Sequence, residues 1–107
     1  MAIKRTESQI LTSICEYLAL KKYFFWRSNN VPIYDSRKGC YRAMPKYARK
    51  GLPDIMVLHK STFYGLEVKK DKGKLSEEQK EIRDLVELNG GEYFVVRSVR
   101  DVMEAGL

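Results

Sequence analysis

Two carboxylates and a lysine interrupt the apolar segment GLPDIMVLHKSTFYGLEVKK, residues 51–70. Asp54 precedes one short apolar run, and Glu67 and Lys69 end the next one. If the two runs form an antiparallel hairpin that turns at Lys60–Ser61, Asp54 lies directly opposite Glu67, with about 5 Å between their Cβ atoms. Lys69 lies on the same face as Glu67 because strand side chains alternate. The spacing therefore predicts a cluster of three charged groups.

Such a cluster has two interpretations. Neighbouring carboxylates repel each other unless a proton or a cation lies between them, and Mg²⁺ binds carboxylate oxygens at about 2.0–2.1 Å. A metal site beside a lysine is the first interpretation. The second is an ordinary Asp–Lys or Glu–Lys pair on an exposed sheet face. A slip of one residue in the register would also place the two carboxylates on opposite faces.

The chain has a net charge of +6, and the excess of basic residues lies in its first half. Residues 1–50 hold eleven Lys and Arg against three Asp and Glu, whereas residues 51–107 hold nine against eleven. Within residues 29–50 the basic side chains are interleaved with tyrosines, and Pro and Gly predict a loop there. Basic side chains neutralise phosphates and tyrosines stack on bases, so this pattern favours nucleic acid over a phospholipid or an acidic protein. A solvated basic loop is the simpler alternative.

Helix-capping patterns and hydrophobic spacing predict an α/β fold in a single domain, residues 1–107. Thr6 and Gln9 form a T-x-x-Q capping box for a helix that ends near Lys21, and Ser76 opens a second helix in the same way. Three strands fall between these helices, and one strand follows the second. The predicted order is α-β-β-β-α-β with a short C-terminal helix. The aromatic side chains of the first strand are expected in the core.

The first helix carries glutamates on two different faces. At about 100° per residue, Glu7 falls on the apolar face, whereas Glu16 lies near the opposite side. A carboxylate on the inward face needs a reason, although a place in the first turn also suits the helix dipole. We therefore expect Glu7 to point inward and Glu16 to face the solvent.

No stretch of the sequence resembles a targeting or membrane segment. The first ten residues lack an apolar signal core, and no run approaches the length of about 18 apolar residues that a membrane helix needs. Cys15 and Cys40 stand apart, without a C-x-x-C motif, so neither zinc nor a disulfide framework is indicated. We expect a soluble cytoplasmic protein with no membrane contact and no small-molecule cofactor.

The charged cluster also resembles a nuclease motif. Pro53 and Asp54, followed thirteen residues after the aspartate by Glu67 and then by Lys69, look like the PD-(D/E)xK signature. The four residues stand in the matching places of that motif. The resemblance implies a nuclease that hydrolyses phosphodiester bonds.

The wider context resembles one family of these nucleases. A helix-borne Glu7, the basic loop before the PD motif, and the S-x-x-Q pattern that ends at Gln79 are similar to the virus-type replication-repair nuclease family, VRR-NUC. The similarity spans residues 6–102, although residues 29–50 match nothing in the family pattern. It implies a restriction-endonuclease-like core with a mixed sheet flanked by helices. The family includes small stand-alone proteins, often phage-encoded, so a prokaryotic host cell is expected.

The resemblance also implies roles for individual residues. The implied catalytic set comprises Glu7, Asp54, Glu67, Lys69 and Gln79. Mg²⁺ or Mn²⁺ would be held by Asp54, Glu67 and the backbone carbonyl of Val68, and by Glu7 through water. Gln79 belongs to a capping box on the sequence alone, and only the family pattern suggests that it contacts substrate or water. For Glu7 the alternative is a first-turn dipole residue.

The expected activity is that of a divalent-metal-dependent, structure-selective DNA endonuclease. A homodimer that resolves branched DNA such as a four-way junction is one form of it, because two related cuts need two active sites. A monomer that cuts flaps or nicks, and a non-catalytic DNA-binding protein on the same scaffold, are the alternatives. The candidate DNA-binding residues are Arg37, Lys38, Arg42, Lys46, Arg49, Lys50, Lys70, Lys72 and Lys74, of which the last three also fit a solvated loop.

Overall fold

The computed structural model describes residues 4–28, 34–41 and 45–107. Over these residues the fold is mixed α/β, with one four-stranded mixed sheet, one two-stranded sheet and three helices. None of these helices is long and apolar enough to cross a membrane. The elements in chain order are α1 (Glu7–Leu20), β1 (Phe24–Arg27), β2 (Tyr34–Asp35), β3 (Cys40–Tyr41), β4 (Ile55–His59), β5 (Thr62–Val68), α2 (Glu77–Leu88), β6 (Glu92–Val96) and α3 (Val99–Glu104).

The larger sheet has the strand order β1-β4-β5-β6. Strands β1, β4 and β5 are antiparallel neighbours, whereas β6 pairs with β5 in parallel after the crossover through α2. Apart from the small β2–β3 sheet, this is the predicted order of elements.

The β4–β5 hairpin has the predicted register. Ile55 lies opposite Leu66 and His59 lies opposite Thr62, so the chain turns at Lys60–Ser61. Both turn residues have positive φ, 50° and 66°, as in the type I′ turns that match the twist of paired strands. The turn therefore holds this register without the Asn-Gly sequence that usually accompanies it.

The core lies on one face of the sheet, under α1 and α3. Leu66 and Val68 of β5 belong to it, together with apolar side chains of α1 such as Ile14. Since strand side chains alternate, Gly65 and Glu67 project from the other face of β5, where α2 lies. The buried members of the core are Ile10, Ile14, Leu18, Ile55, Val57, Leu66, Val68, Val96, Val102 and Leu107.

Both predicted capping boxes are present. In α1 the Thr6 side chain accepts a hydrogen bond from the Gln9 N–H, and the Gln9 side chain accepts one from the Thr6 N–H. In α2 Ser76 and Gln79 make the same reciprocal pair. Each box satisfies two N–H groups that have no partner within their own helix.

One expectation about the first half of the chain is wrong, and another holds only in part. The segment predicted to be a loop contains the small β2–β3 sheet, in which Tyr34 pairs with Tyr41. Asp35 promotes this hairpin, because its side chain accepts a hydrogen bond from the Arg37 N–H in the turn. Of the aromatic residues of β1, Phe25 packs against the core as expected. Phe24 and Trp26 are 66% and 41% exposed, because β1 is an edge strand and these side chains project away from the core.

Candidate metal centre and catalytic site

Two close backbone approaches position the segment that carries Asp54. Gly51 has a φ of 78°, and a Cβ atom there would lie 3.0 Å from the backbone carbonyl atoms of Glu78 in α2. Pro53 is fully buried, and a Cβ on Gly65 would lie 2.7 Å from its Cγ. The two glycines therefore let the segment fit between the first turn of α2 and strand β5.

Asp54 is held at the bend before β4. Its Oδ2 accepts a hydrogen bond of 2.8 Å from the Val68 N–H, and its own carbonyl accepts one from the Ser28 N–H at 3.0 Å. In a strand the N–H and C=O of one residue project to the same side. The Val68 carbonyl is therefore directed to the side on which the Asp54 carboxylate lies.

Glu67 is the one charged residue that is buried in the described parts of the chain, with only 2% of its surface exposed. Burial raises its pKa to about 8, and the neighbouring Asp54 carboxyl adds to the rise through hydrogen bonding and charge, while Lys69 opposes it. Two carboxyl groups this close repel each other unless a proton or a cation lies between them. Without a metal, burial and the Asp54 carboxyl therefore favour the protonated form of Glu67.

One oxygen of Glu67 is bound by Gln79 and the other is not. The Gln79 Nε2 donates a hydrogen bond of 2.5 Å to Glu67 Oε1, whereas Oε2 is buried without a hydrogen-bond partner among the described residues. Buried polar atoms nearly always have a partner. The Oε2 atom beside Asp54 is thus free to bind a water or a cation.

The capping box determines which end of the Gln79 amide faces Glu67. The Ser76 N–H donates to Gln79 Oε1 at 2.9 Å, so the amide nitrogen points the other way, toward the carboxylate. The two interpretations of Gln79 are therefore compatible, and its observed contact is with Glu67. A contact with substrate stays a prediction.

Lys69 follows directly after β5, and its backbone is fixed by a 3.1 Å hydrogen bond from its N–H to the Val96 carbonyl. The side chain is half-buried. Its charge is near enough to lower the pKa of Glu67. The hairpin thus brings Asp54, Glu67 and Lys69 together, as the spacing predicted.

Glu7 is not part of this hydrogen-bonded group. It lies in the first turn of α1 and is exposed, whereas Ile10, one turn later, is buried. The inward orientation expected for Glu7 is therefore not seen, because the buried stripe of α1 begins only at Ile10. Glu16 is exposed, as expected. A role for Glu7 through a metal-bound water stays a prediction.

Tyr93 is a residue of this site that the sequence did not reveal. It pairs with Gly65 in the parallel register of β5 and β6, which places it on the face that carries Glu67. Its hydroxyl is buried without a partner among the described residues. Burial raises its pKa, as do the charges of Glu67 and Asp54, and Arg83 opposes the rise. Only the parallel pairing could have revealed this neighbourhood.

The donor atoms present fit a hard divalent cation. Among the described residues no group of three or more His, Cys, Asp or Glu could hold a metal ion. Mg²⁺, however, is commonly held by only one or two carboxylates and completes its shell with water. Asp54, Glu67 with its free Oε2, and the Val68 carbonyl supply oxygen donors of this kind.

The predicted DNA-binding residues are all exposed where the structure describes them, and Arg42 lies outside the described residues. Two occupy the turn between β2 and β3, three precede Gly51, and three follow Lys69. An open groove of about 630 Å³ separates the segment before Gly51 from α2. Its lining residues are Tyr47, Ala48, Arg49, Lys50, Glu78, Glu81 and Ile82.

Comparison of the chain with protein-family models, with curated proteins and with solved structures gave no match. Its function is therefore inferred from the residues and geometry of the site.

Proposed function

We propose that this chain is a divalent-metal-dependent DNA endonuclease with a restriction-endonuclease-like core of the VRR-NUC type. The observation that carries the proposal is the buried carboxyl of Glu67, which has a free oxygen, lies against Asp54 and is approached by the charge of Lys69. A buried carboxyl pair of this kind is costly to keep ionised. Binding of a cation would compensate that cost.

The chain's own residues have separate tasks in this proposal. Asp54, Glu67 and the Val68 carbonyl would hold Mg²⁺ or Mn²⁺, which supplies charge stabilisation at the scissile phosphate and lowers the pKa of an attacking water. The Val68 N–H keeps the Asp54 carboxylate in place, and Gln79 does the same for Glu67. Lys69 would orient the attacking water or stabilise negative charge on the phosphate oxygens.

The exposed basic residues support DNA as the substrate. Exposed Lys and Arg side chains lie just before Gly51 and just after Lys69. In the sequence they therefore border the hairpin that carries Asp54, Glu67 and Lys69. Their charge would neutralise backbone phosphates, which makes binding depend on salt. Branched DNA cut by a homodimer is the form of the activity that we propose. Cleavage of flaps or nicks by a monomer is the other outcome of the test.

A cleavage assay tests the proposal directly. Linear duplex, flap and four-way-junction DNA are incubated with the protein in Mg²⁺, in Mn²⁺ and in EDTA. Cleavage should require the metal, and Glu67→Gln and Lys69→Ala should each reduce it by a factor of about one hundred or more. Glu16→Gln, which changes an exposed glutamate on α1, is the control and should cut normally. The absence of metal-dependent cleavage on every substrate would contradict the proposal.

A further inference from the structure

Two buried polar atoms of the site have no hydrogen-bond partner among the described residues. They are the hydroxyl oxygen of Tyr93 and the Oε2 atom of Glu67. Most buried polar atoms of a folded protein have a hydrogen-bond partner. The two atoms belong to one neighbourhood, since the charge of Glu67 acts on Tyr93 and both side chains lie on the same face of the sheet. A buried water that bridges polar groups is a common partner for such atoms.

The position of the Tyr93 ring is set by packing. Tyr93 lies beside Gly65 in the register of β5 and β6, and a Cβ on Gly65 would lie 3.4 Å from the ring's Cδ2 and 2.7 Å from Pro53 Cγ. Gly65 thus leaves space that the ring and Pro53 share. The hydroxyl is not needed to hold the ring there, so its burial beside the carboxyl pair calls for another explanation.

We propose that Tyr93 is a positioning residue of the metal site, whose hydroxyl donates a hydrogen bond to a water that also contacts Glu67 Oε2. This inference rests on the proposed function. Gln79 already binds Oε1, so the water held by Tyr93 would orient the same carboxylate from its second oxygen. Partners of this kind set the direction of a metal-binding carboxylate, and their loss typically weakens metal affinity by about 10- to 100-fold.

The substitution Tyr93→Phe isolates the hydroxyl, since the ring that packs against Gly65 and Pro53 is retained. Tyr64→Phe is the matched control, because Tyr64 lies on the neighbouring strand β5 but on the opposite face, stacked on Phe94. Mn²⁺ binding is measured by calorimetry without DNA, and the urea midpoint is measured without metal. Tyr93→Phe should weaken Mn²⁺ binding about tenfold or more at a nearly unchanged midpoint, and Tyr64→Phe should bind Mn²⁺ like the wild type.

The outcomes separate this inference from the function on which it rests. Wild-type Mn²⁺ affinity in Tyr93→Phe would overturn the role of Tyr93 and leave the metal site intact. Equal losses of affinity in both variants would also overturn it, since the effect would not be specific to this hydroxyl. A wild-type protein that binds no Mn²⁺ and cuts no DNA would overturn both proposals.

Discussion

Gln79 donates a hydrogen bond from its side-chain amide to the buried carboxyl of Glu67, and the same amide accepts the Ser76 N–H that caps α2. One side chain therefore links the start of a helix to the centre of the candidate site. Gln9 occupies the equivalent position in the capping box of α1 but has no such second contact with any described residue. The two glutamines differ in one respect that can be tested.

We predict that Gln79→Ala and Gln9→Ala will both destabilise the fold through loss of a capping-box interaction, and that Gln79→Ala will cost about 1–3 kcal/mol more because it leaves a buried oxygen of Glu67 without its donor. Only Gln79→Ala should also weaken Mn²⁺ binding and DNA cleavage, because it leaves Glu67 without its donor. Urea unfolding measures the first effect, and calorimetry and cleavage rates measure the second. Equal Mn²⁺ affinity in the two variants would show that Gln79 serves only the helix.

The raised pKa of Glu67 predicts a dependence of stability on pH. A carboxyl whose pKa is about 8 in the folded protein and 4.5 when unperturbed binds its proton more tightly when folded. Its contribution to stability is complete below pH 4.5 and is lost as the pH rises through 8. Among the described residues, the charged and titratable groups that interact with it are Asp54, Lys69 and Tyr93.

Metal-free protein should therefore show a free energy of unfolding that declines between about pH 5 and pH 8, relative to Glu67→Gln, which lacks the titration. Saturating Mn²⁺ should remove the decline, because the cation takes the place of the proton. Urea titrations at several pH values measure both effects. Parallel pH profiles for the wild type and Glu67→Gln would mean that Glu67 titrates normally.

Because Gly51 lies close to α2, adding a single methyl group at this position should greatly reduce the stability of the fold. Gly51→Ala should cost about 1–3 kcal/mol for its positive φ, and more because the new Cβ would meet the Glu78 backbone. Gly39→Ala is the control: φ is 68° there, but no described residue lies within 4 Å of the added Cβ. Urea unfolding should place Gly51→Ala well below Gly39→Ala. Equal losses would show that the Gly51 segment moves away from α2 without cost.

A pair of variants on α1 tests the predicted role of Glu7. If Glu7 reaches the site through a metal-bound water, Glu7→Gln should slow cleavage far more than Glu16→Gln. Both side chains are exposed, so neither substitution should change stability beyond a few tenths of a kcal/mol. Single-turnover cleavage rates at saturating Mn²⁺ give the comparison. Equal rates would reduce Glu7 to a residue that suits the helix dipole.

Local rules were sufficient to predict the hairpin and the helix starts. Because strand side chains alternate between the two faces of a sheet, Glu67 and Lys69 had to lie on one face. A turn at residues 60–61 then fixed the register that places Asp54 opposite Glu67. The two capping boxes gave the starts of α1 and α2 because they involve residues only three positions apart. These features depend on near neighbours in the chain, so the sequence contains them directly.

The remaining features depend on contacts between distant segments. Tyr93 joins the site only because β6 pairs in parallel with β5, and no local pattern specifies that pairing. The contact of Gln79 with Glu67 requires α2 to lie on the non-core face of the sheet. Phe24 is exposed because β1 is an edge strand of the sheet. The sequence could not predict this, because an aromatic segment has the same pattern in an edge strand and in a central strand. The inward orientation of Glu7 was expected from its angular position on the helix alone. That position does not tell which turns of the helix extend beyond the core.

The contact between Pro53 and position 65 limits how this protein can diverge. Any side chain at position 65 would overlap the Pro53 ring, since even a Cβ would lie 2.7 Å from its Cγ. The two positions are twelve residues apart in the chain, yet they cannot vary independently. Homologous sequences should therefore keep glycine at 65 wherever they keep proline at 53, and a larger residue at 65 should be accompanied by a smaller one at 53. This covariation would identify distant relatives even where the charged residues have been replaced.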